Sequence, residues 1–75
     1  MVDYRKHIYS DPKIMLGKPI VKGTRITVEL LLRKVADGYT FEEILKMYPH
    51  LKLDDILASI AYAAAIMESE EVIEA

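Results

Sequence analysis

Apolar side chains recur at helical spacing in three stretches of the chain after residue 27. In the first stretch they stand at i, i+3, i+4, i+7 and i+8, which is one face of a helix. The second stretch stops at Pro49, because proline cannot continue a helix. The residues of the three stretches are Val28, Leu31, Leu32, Val35 and Ala36; Phe41, Ile44, Leu45 and Tyr48; and Leu53, Ile56, Leu57, Ile60, Ala63, Ala64 and Met67. The pattern predicts a three-helix bundle over residues 27–67 with these side chains in its core.

Residues at the ends of the stretches are typical of helix termini. Thr27 and Thr40 stand where N-caps are expected. Glu43 follows Thr40 by three residues, which completes the pattern of a capping box. Gly38 suits the left-handed position that follows a helix C-terminus. The first two helices are therefore delimited by local chemistry as well as by periodicity.

A short β-ribbon is predicted for residues 1–26. The β-branched pair Ile20-Val21 favours a strand. Gly17 and Gly23 flank the pair as turn residues, since glycine adopts positive φ without penalty, and Pro19 restricts the backbone between them. Two further strands are expected at His7-Ile8-Tyr9 and Ile14-Met15-Leu16.

The predicted fold class is α+β, mostly α, in a single domain over residues 1–75. The ribbon is followed by a three-helix bundle of helix-turn-helix, homeodomain-like type, and then by an acidic tail over residues 68–75. The short second helix, brief turn and longer third helix give the helix-turn-helix pattern. A plain three-helix bundle that binds no DNA fits the same pattern and stays open as an alternative.

The third helix offers few groups for reading DNA. Its expected exposed side consists of Asp54, Asp55, Ala58, Ser59 and Tyr62. Ser59 is the side chain there that suits a polar contact with nucleic acid. The two aspartates stand where a reading helix approaches phosphates, and like charges repel.

The small size and high apolar content predict a homodimer. The chain has 75 residues and no cysteine, so no disulfide supports its thin core. Its apolar fraction of 52% is high for so small a domain. It contains no apolar run of about 18 residues, as a membrane span requires, and no export leader. No membrane association and a cytoplasmic location are expected.

Positive charge is concentrated in the first half of the chain. Residues 1–36 hold eight basic and three acidic side chains, a net +5, whereas residues 37–75 have a net charge of −7. Any nucleic-acid contact is therefore expected on the ribbon, through Lys18, Lys22, Thr24 and Arg25. The alternative for Arg25 is a structural ion pair with Glu29 or with an acid of the helical half.

No catalytic constellation is recognisable. The serines have no histidine at a telling position, and GKPIVKG lacks the ending of a phosphate-binding loop. Neither enzymatic activity nor a metal or other cofactor is expected. His7 has no partner at a ligand spacing, so a structural or surface role is expected for it.

The segment GKPIVKGTRITV resembles the signature of the DUF433 domain-of-unknown-function family. The similarity continues through most of the chain, at His7-Ile8, Asp37-Gly38, Glu42 to Leu45, Tyr48-Pro49, Leu51, Asp55-Ile56 and Tyr62-Ala63. Lys52 is a departure, because the family usually has Thr or Ser there as the helix N-cap.

The resemblance implies a small helix-turn-helix protein. Some family members are regarded as VapB-type antitoxins that pair with PIN-like nuclease toxins. For this chain it implies a non-catalytic, antitoxin-like protein that binds DNA as an autoregulator and pairs with a PIN-like toxin. A protein-interaction module that binds no DNA and a structural homodimer remain as alternatives.

Overall fold

Ile20 and Val21 form a strand in the computed structural model, which describes residues 2–69. This strand, β2 (Ile20–Val21), pairs antiparallel with β1 (Ile8–Tyr9), so that Ile8 lies opposite Val21. A 3₁₀ helix over Tyr4–Lys6 precedes β1. We call residues 2–9 the N-terminal arm and the paired strands the ribbon. The predicted strands at Ile8 and Ile20 are confirmed.

The predicted strand at Ile14-Met15-Leu16 is wrong. Met15, Leu16 and Gly17 have φ of 50°, 58° and 80°, which is left-handed backbone, and we call this segment the left-handed turn. Two hydrogen bonds close it, from Gly17 N–H to the Ile14 carbonyl (3.0 Å) and from Lys18 N–H to the Met15 carbonyl (3.1 Å). The apolar residues suggest an extended strand, but these local hydrogen bonds favour the turn.

Three helices follow the ribbon, as predicted. They are α1 (Val28–Ala36), α2 (Phe41–Met47) and α3 (Leu53–Ser69). Thr27 Oγ1 accepts a hydrogen bond from Leu30 N–H at 3.0 Å and caps α1. Thr40 and Glu43 form the reciprocal capping box at the start of α2. The predicted N-caps are confirmed.

Gly38 ends α1 in the predicted left-handed conformation, with φ of 94°. Its N–H donates to the Val35 carbonyl at 3.0 Å, and Tyr39 N–H donates to the Lys34 carbonyl at 3.1 Å. This pair of bonds is the Schellman motif, which satisfies carbonyls that a helix end otherwise leaves unpaired.

The hydrophobic core lies where the ribbon meets the three helices. Its buried members are Ile8, Val21, Val28, Leu31, Ile44, Leu51, Ile56 and Ala58. The apolar faces predicted for α1 and α2 are confirmed at Val28, Leu31 and Ile44, which are all buried.

The buried face predicted for α3 is confirmed at Ile56, which is fully buried, and at Ile60, which packs against the core, but it is wrong at other positions. The sequence pattern places Leu53, Leu57 and Met67 in the core, but they are 46%, 37% and 61% exposed. Conversely, it places Ala58 and Ser59 at the surface, but both are fully buried. Ala58 is a member of the hydrophobic core, and the N-terminal arm packs on α3 at Asp55 and Tyr62, on either side of Ser59 in the chain.

Two contacts fix the arm on α3. The Tyr4 and Tyr62 rings meet edge-to-face with their centroids 5.6 Å apart, and His7 Nδ1 lies 2.9 Å from Asp55 Oδ1. Asp55 and Tyr62 are seven residues apart, which is two helical turns, so both contacts lie on one face of α3.

The predicted acidic tail begins within α3, and its residues 70–75 lie outside the described part of the chain.

Candidate functional site

The turn after β2 is held together by Gly23 and Thr24. Gly23 has φ of 79°, as predicted. Thr24 Oγ1 donates to the Val21 carbonyl (2.9 Å) and accepts from Ile26 N–H (3.0 Å). The threonine hydroxyl predicted for nucleic-acid contact is thus engaged inside the turn. The Gly-Thr-Arg sequence builds the turn with its first two residues and leaves Arg25 exposed at the surface.

The three basic side chains of this region differ in their partners. Lys18 Nζ lies 3.1 Å from Glu29 Oε1, and Lys22 Nζ donates to the Arg5 carbonyl at 3.0 Å. Within residues 2–69, Arg25 has no ion pair or side-chain hydrogen bond. Arg25 is therefore the least engaged of the three cations.

Glu29 does not pair with Arg25, so that structural alternative is wrong. Its Oε2 instead lies 3.3 Å from Arg33, one helical turn further along α1. The hydrogen bond from Lys18, supported by the charges of Lys18 and Arg33, lowers the pKa of the Glu29 carboxyl. The resulting Lys18–Glu29–Arg33 network is exposed, and ion pairs of this kind contribute little to stability.

Ser59 is not available to nucleic acid, and its predicted role there is wrong. Its side chain is fully buried, and its hydroxyl donates to the Asp55 carbonyl one turn earlier at 2.9 Å. Burial of Ser59 therefore removes the polar group that the sequence offered for reading DNA.

Asp55 joins the arm to the start of α3. Besides contacting His7, its carboxylate accepts a hydrogen bond through Oδ2 from Lys52 N–H at 2.9 Å. This bond satisfies a free N–H at a helix terminus that lacks a Ser or Thr cap. His7 and Asp55 are 48 residues apart, and no spacing motif in the sequence indicates that they meet.

An apolar groove runs between α1 and α3. It has a volume of about 570 Å³ and is lined by Pro19, Val28, Leu32, Ala36, Tyr62 and Ile66, with Glu29 and Arg33 among its polar residues.

Nearby in the chain, Leu16 is 95% exposed in the left-handed turn. A fully exposed leucine in strained backbone is unusual, and strained residues often cluster at binding sites.

The described residues hold no cluster of three or more His, Cys, Asp or Glu side chains that could hold a metal ion. None of the helices over residues 2–69 has both the length and the apolar character needed to cross a membrane.

The fold and these surfaces define a small, mostly helical α+β domain whose ribbon and N-terminal arm pack on three helices. The chain belongs to the family described as Protein of unknown function (DUF433), which matches residues 8–63.

Two relatives are similar to it. The uncharacterized protein y4eO of Sinorhizobium fredii is 36% identical over 61 residues, covering 81% of this chain and 28% of that protein. The chain thus spans little more than a quarter of that relative's length. The crystal structure of a DUF433 member protein from Anabaena variabilis superposes with a TM-score of 0.77 at 30% identity, covering 81% of this chain and 60% of that one.

Proposed function

We propose that the chain is a non-catalytic, antitoxin-like protein that acts mainly by binding another protein, and that the partner is a PIN-like nuclease toxin. The partner class comes from the resemblance to antitoxin-like family members. The surface of α3 is the reason for proposing protein binding as the main function and DNA binding as the second.

The observation that carries this proposal is the covered face of α3. A helix-turn-helix protein places an uncovered face of its second helix in the major groove. In this chain the face that contains Asp55 and Tyr62 is occupied by His7 and Tyr4 of the arm. Base reading by this face of α3 would require the arm to leave, which would break both interactions.

The remaining surface favours a protein partner. Asp54, at the exposed start of α3, repels phosphate rather than binding it. Large apolar side chains are exposed elsewhere, above all Leu16 at 95% and Met67 at 61%. Buried apolar anchors account for much of the affinity of protein interfaces.

DNA binding for autoregulation is the second function, and Arg25 supports it. Arg25 is exposed and unpaired within residues 2–69, so its guanidinium is free to bind a phosphate or a guanine edge. The proposed contact lies on the ribbon, with Lys18 and Lys22 nearby in the chain. It does not require α3 to be uncovered.

A homodimer completes the proposal. A chain of 75 residues has a thin core, and nine large hydrophobic side chains among the described residues are exposed. Association of two copies would remove part of this apolar surface from water.

The test is a calorimetric titration of the purified chain with the PIN-like protein encoded by an adjacent gene. We expect saturable binding and loss of the partner's nuclease activity. Leu16→Asn removes the most exposed apolar side chain and should weaken binding, whereas Lys13→Asn, in the same loop, should not. A chain that neither binds nor inhibits this protein, but binds its own promoter specifically, would reverse the order of the two functions.

A further inference from the structure

The apolar groove between α1 and α3 has one charged edge. Glu29 and Arg33 line the groove together with its apolar side chains, and their side chains are 50% and 74% exposed. They are four residues apart, so they lie one helical turn apart on the same side of α1. Ile66 of α3 is 42% exposed in the same groove. The groove therefore offers water-accessible apolar side chains beside a row of charges.

The charges at this edge do not balance. Lys18 Nζ lies 3.1 Å from Glu29 Oε1, and an Arg33 terminal nitrogen lies 3.3 Å from Glu29 Oε2. Two cations thus share one carboxylate, which leaves the three groups with a net charge of +1. A guanidinium has five N–H donors, and Arg33 directs only Nε and one terminal nitrogen at Glu29. A second carboxylate at this edge would find both a favourable charge and unused donors.

Apolar surface continues from the groove to the left-handed turn. Pro19 lines the groove, and its neighbour Lys18 is bonded to Glu29 at the charged edge. Leu16 precedes Pro19 by three residues, which limits their separation to about 11 Å, and it is 95% exposed. An exposed leucine beside an apolar groove enlarges the surface on which a partner can bury apolar side chains.

We propose that this groove binds an amphipathic, acidic helix of the protein partner, with its apolar side chains in the groove and a carboxylate against Arg33. From Val28 to Ala36 the α1 wall extends about 12 Å, slightly more than two helical turns. Over that length a bound helix presents apolar anchors at i, i+3 or i+4, and i+7. The net positive edge attracts an acidic helix and repels a basic one. This inference rests on the protein binding proposed above and assigns its site.

The experiment compares two synthetic peptides of opposite charge on the full chain. One is an amphipathic helix of about 15 residues, a length at which isolated helices begin to form, with leucine on one face and glutamate on the other. Its counterpart has lysine in place of glutamate. Fluorescence anisotropy should show the acidic peptide binding about tenfold tighter or more, with an affinity that falls as salt is added. Amide shifts should fall on residues 28–36 and 62–66.

Two pairs of substitutions to glutamine, a good helix former, separate the groove from the rest of the surface. Ile66 and Met47 are 42% and 39% exposed, and only Ile66 lines the groove. Ile66→Gln should raise the dissociation constant of the acidic peptide about tenfold, as loss of an interface anchor does, and Met47→Gln should leave it unchanged. Arg33→Gln should weaken binding and reduce its salt dependence, whereas Lys46→Gln, at an exposed position on α2, should do neither. Circular dichroism should show all four variants folded.

Three results would overturn the groove as a site for an acidic helix. The first is equal affinity for the two peptides, and the second is an Ile66→Gln chain that binds the acidic peptide like wild type. The third is a change in the groove amides of the free chain with its own concentration, which would mean that a second copy occupies the groove.

Titration of Ile66→Gln with the adjacent-gene nuclease separates this inference from the proposed function. A nuclease that binds wild type and Ile66→Gln equally would overturn the groove and leave the proposed function standing. A nuclease that does not bind wild type would overturn the proposed function, and the peptide comparison would still decide whether the groove takes an acidic helix.

Discussion

His7 Nδ1 lies 2.9 Å from Asp55 Oδ1 and ties the N-terminal arm to the first turn of α3. Their side chains are 25% and 15% exposed, so the interaction is partly shielded from water. The same carboxylate also accepts from Lys52 N–H. One side chain thus caps the third helix and anchors the segment that covers it, so capping of α3 and attachment of the arm depend on each other.

Replacing Asp55 should therefore destabilise the fold more than replacing its exposed neighbour. Asp55→Ala removes the partners of both His7 and Lys52 N–H, and we expect a loss of about 1–3 kcal/mol in the free energy of unfolding. Asp54→Ala, the matched control, should change it by no more than about 0.5 kcal/mol. Urea denaturation monitored by circular dichroism measures both values.

A double-mutant cycle separates the two roles of Asp55. His7→Ala should destabilise less than Asp55→Ala, because the bond to Lys52 N–H survives. The two effects on the free energy of unfolding should not add in the double variant, since both substitutions remove the same interaction. Strict additivity would mean that His7 and Asp55 do not interact in solution.

Gly23 should tolerate a side chain only at the expense of strain. A Cβ at this position would meet no atom within 4 Å, so any penalty arises from the φ of 79° and not from a clash. Gly23→Val should cost about 1–3 kcal/mol, the range for residues forced into sparsely populated backbone. Gly23→Asn should cost less, because asparagine enters the left-handed region more readily. Equal denaturation midpoints for all three proteins would show that the turn does not need a glycine.

Replacing Leu16 should have the opposite effect and stabilise the fold. Its φ of 58° is unfavourable for leucine, and at 95% exposure its side chain contributes almost no burial. Leu16→Asn or Leu16→Gly should therefore raise the free energy of unfolding, by about 0.5–1 kcal/mol. Thermal melts of these variants, with Leu30→Asn within α1 as a destabilising control, check the sign. A lower melting temperature for both Leu16 variants would mean that the left-handed turn is not strained in solution.

The local features of this chain were predictable, whereas the surface of α3 was not. Thr27, Thr40 and Gly38 mark helix ends through hydrogen bonds to residues a few positions away, so short-range patterns identify them. The contacts of α3 with the arm join residues about 50 positions apart in the chain, such as His7 and Asp55. Helix α3 has apolar or small residues on nearly every side, so periodicity alone could not indicate which face the arm would cover.

Replacing Arg25 should weaken DNA binding and leave the stability of the fold unchanged. Because it is exposed and has no ion pair within residues 2–69, Arg25→Ala should melt within a degree or two of wild type, as surface substitutions usually do. If the ribbon binds the chain's own promoter, this variant should bind less tightly and flatten the logarithmic salt dependence by about one unit for each phosphate that Arg25 neutralises. Arg33→Ala, which removes an arginine paired with Glu29, is the control and should bind like wild type. A lower melting temperature for Arg25→Ala, with DNA affinity following the folded fraction, would assign Arg25 a structural role.

Amide chemical-shift mapping tests most directly whether the N-terminal arm, which packs on the face of α3 that contains Asp55 and Tyr62, keeps this helix from reading DNA. The isotopically labelled chain would be titrated with its promoter duplex and with a scrambled duplex of equal length, at about 50 mM salt, where phosphate binding is strong. We predict that any shifts fall on residues 18–25, with the amides of residues 52–62 unchanged by either duplex. Shifts at residues 52–62 that depend on the DNA sequence, together with release of the arm from α3, would contradict the covered face and restore α3 as the reading helix.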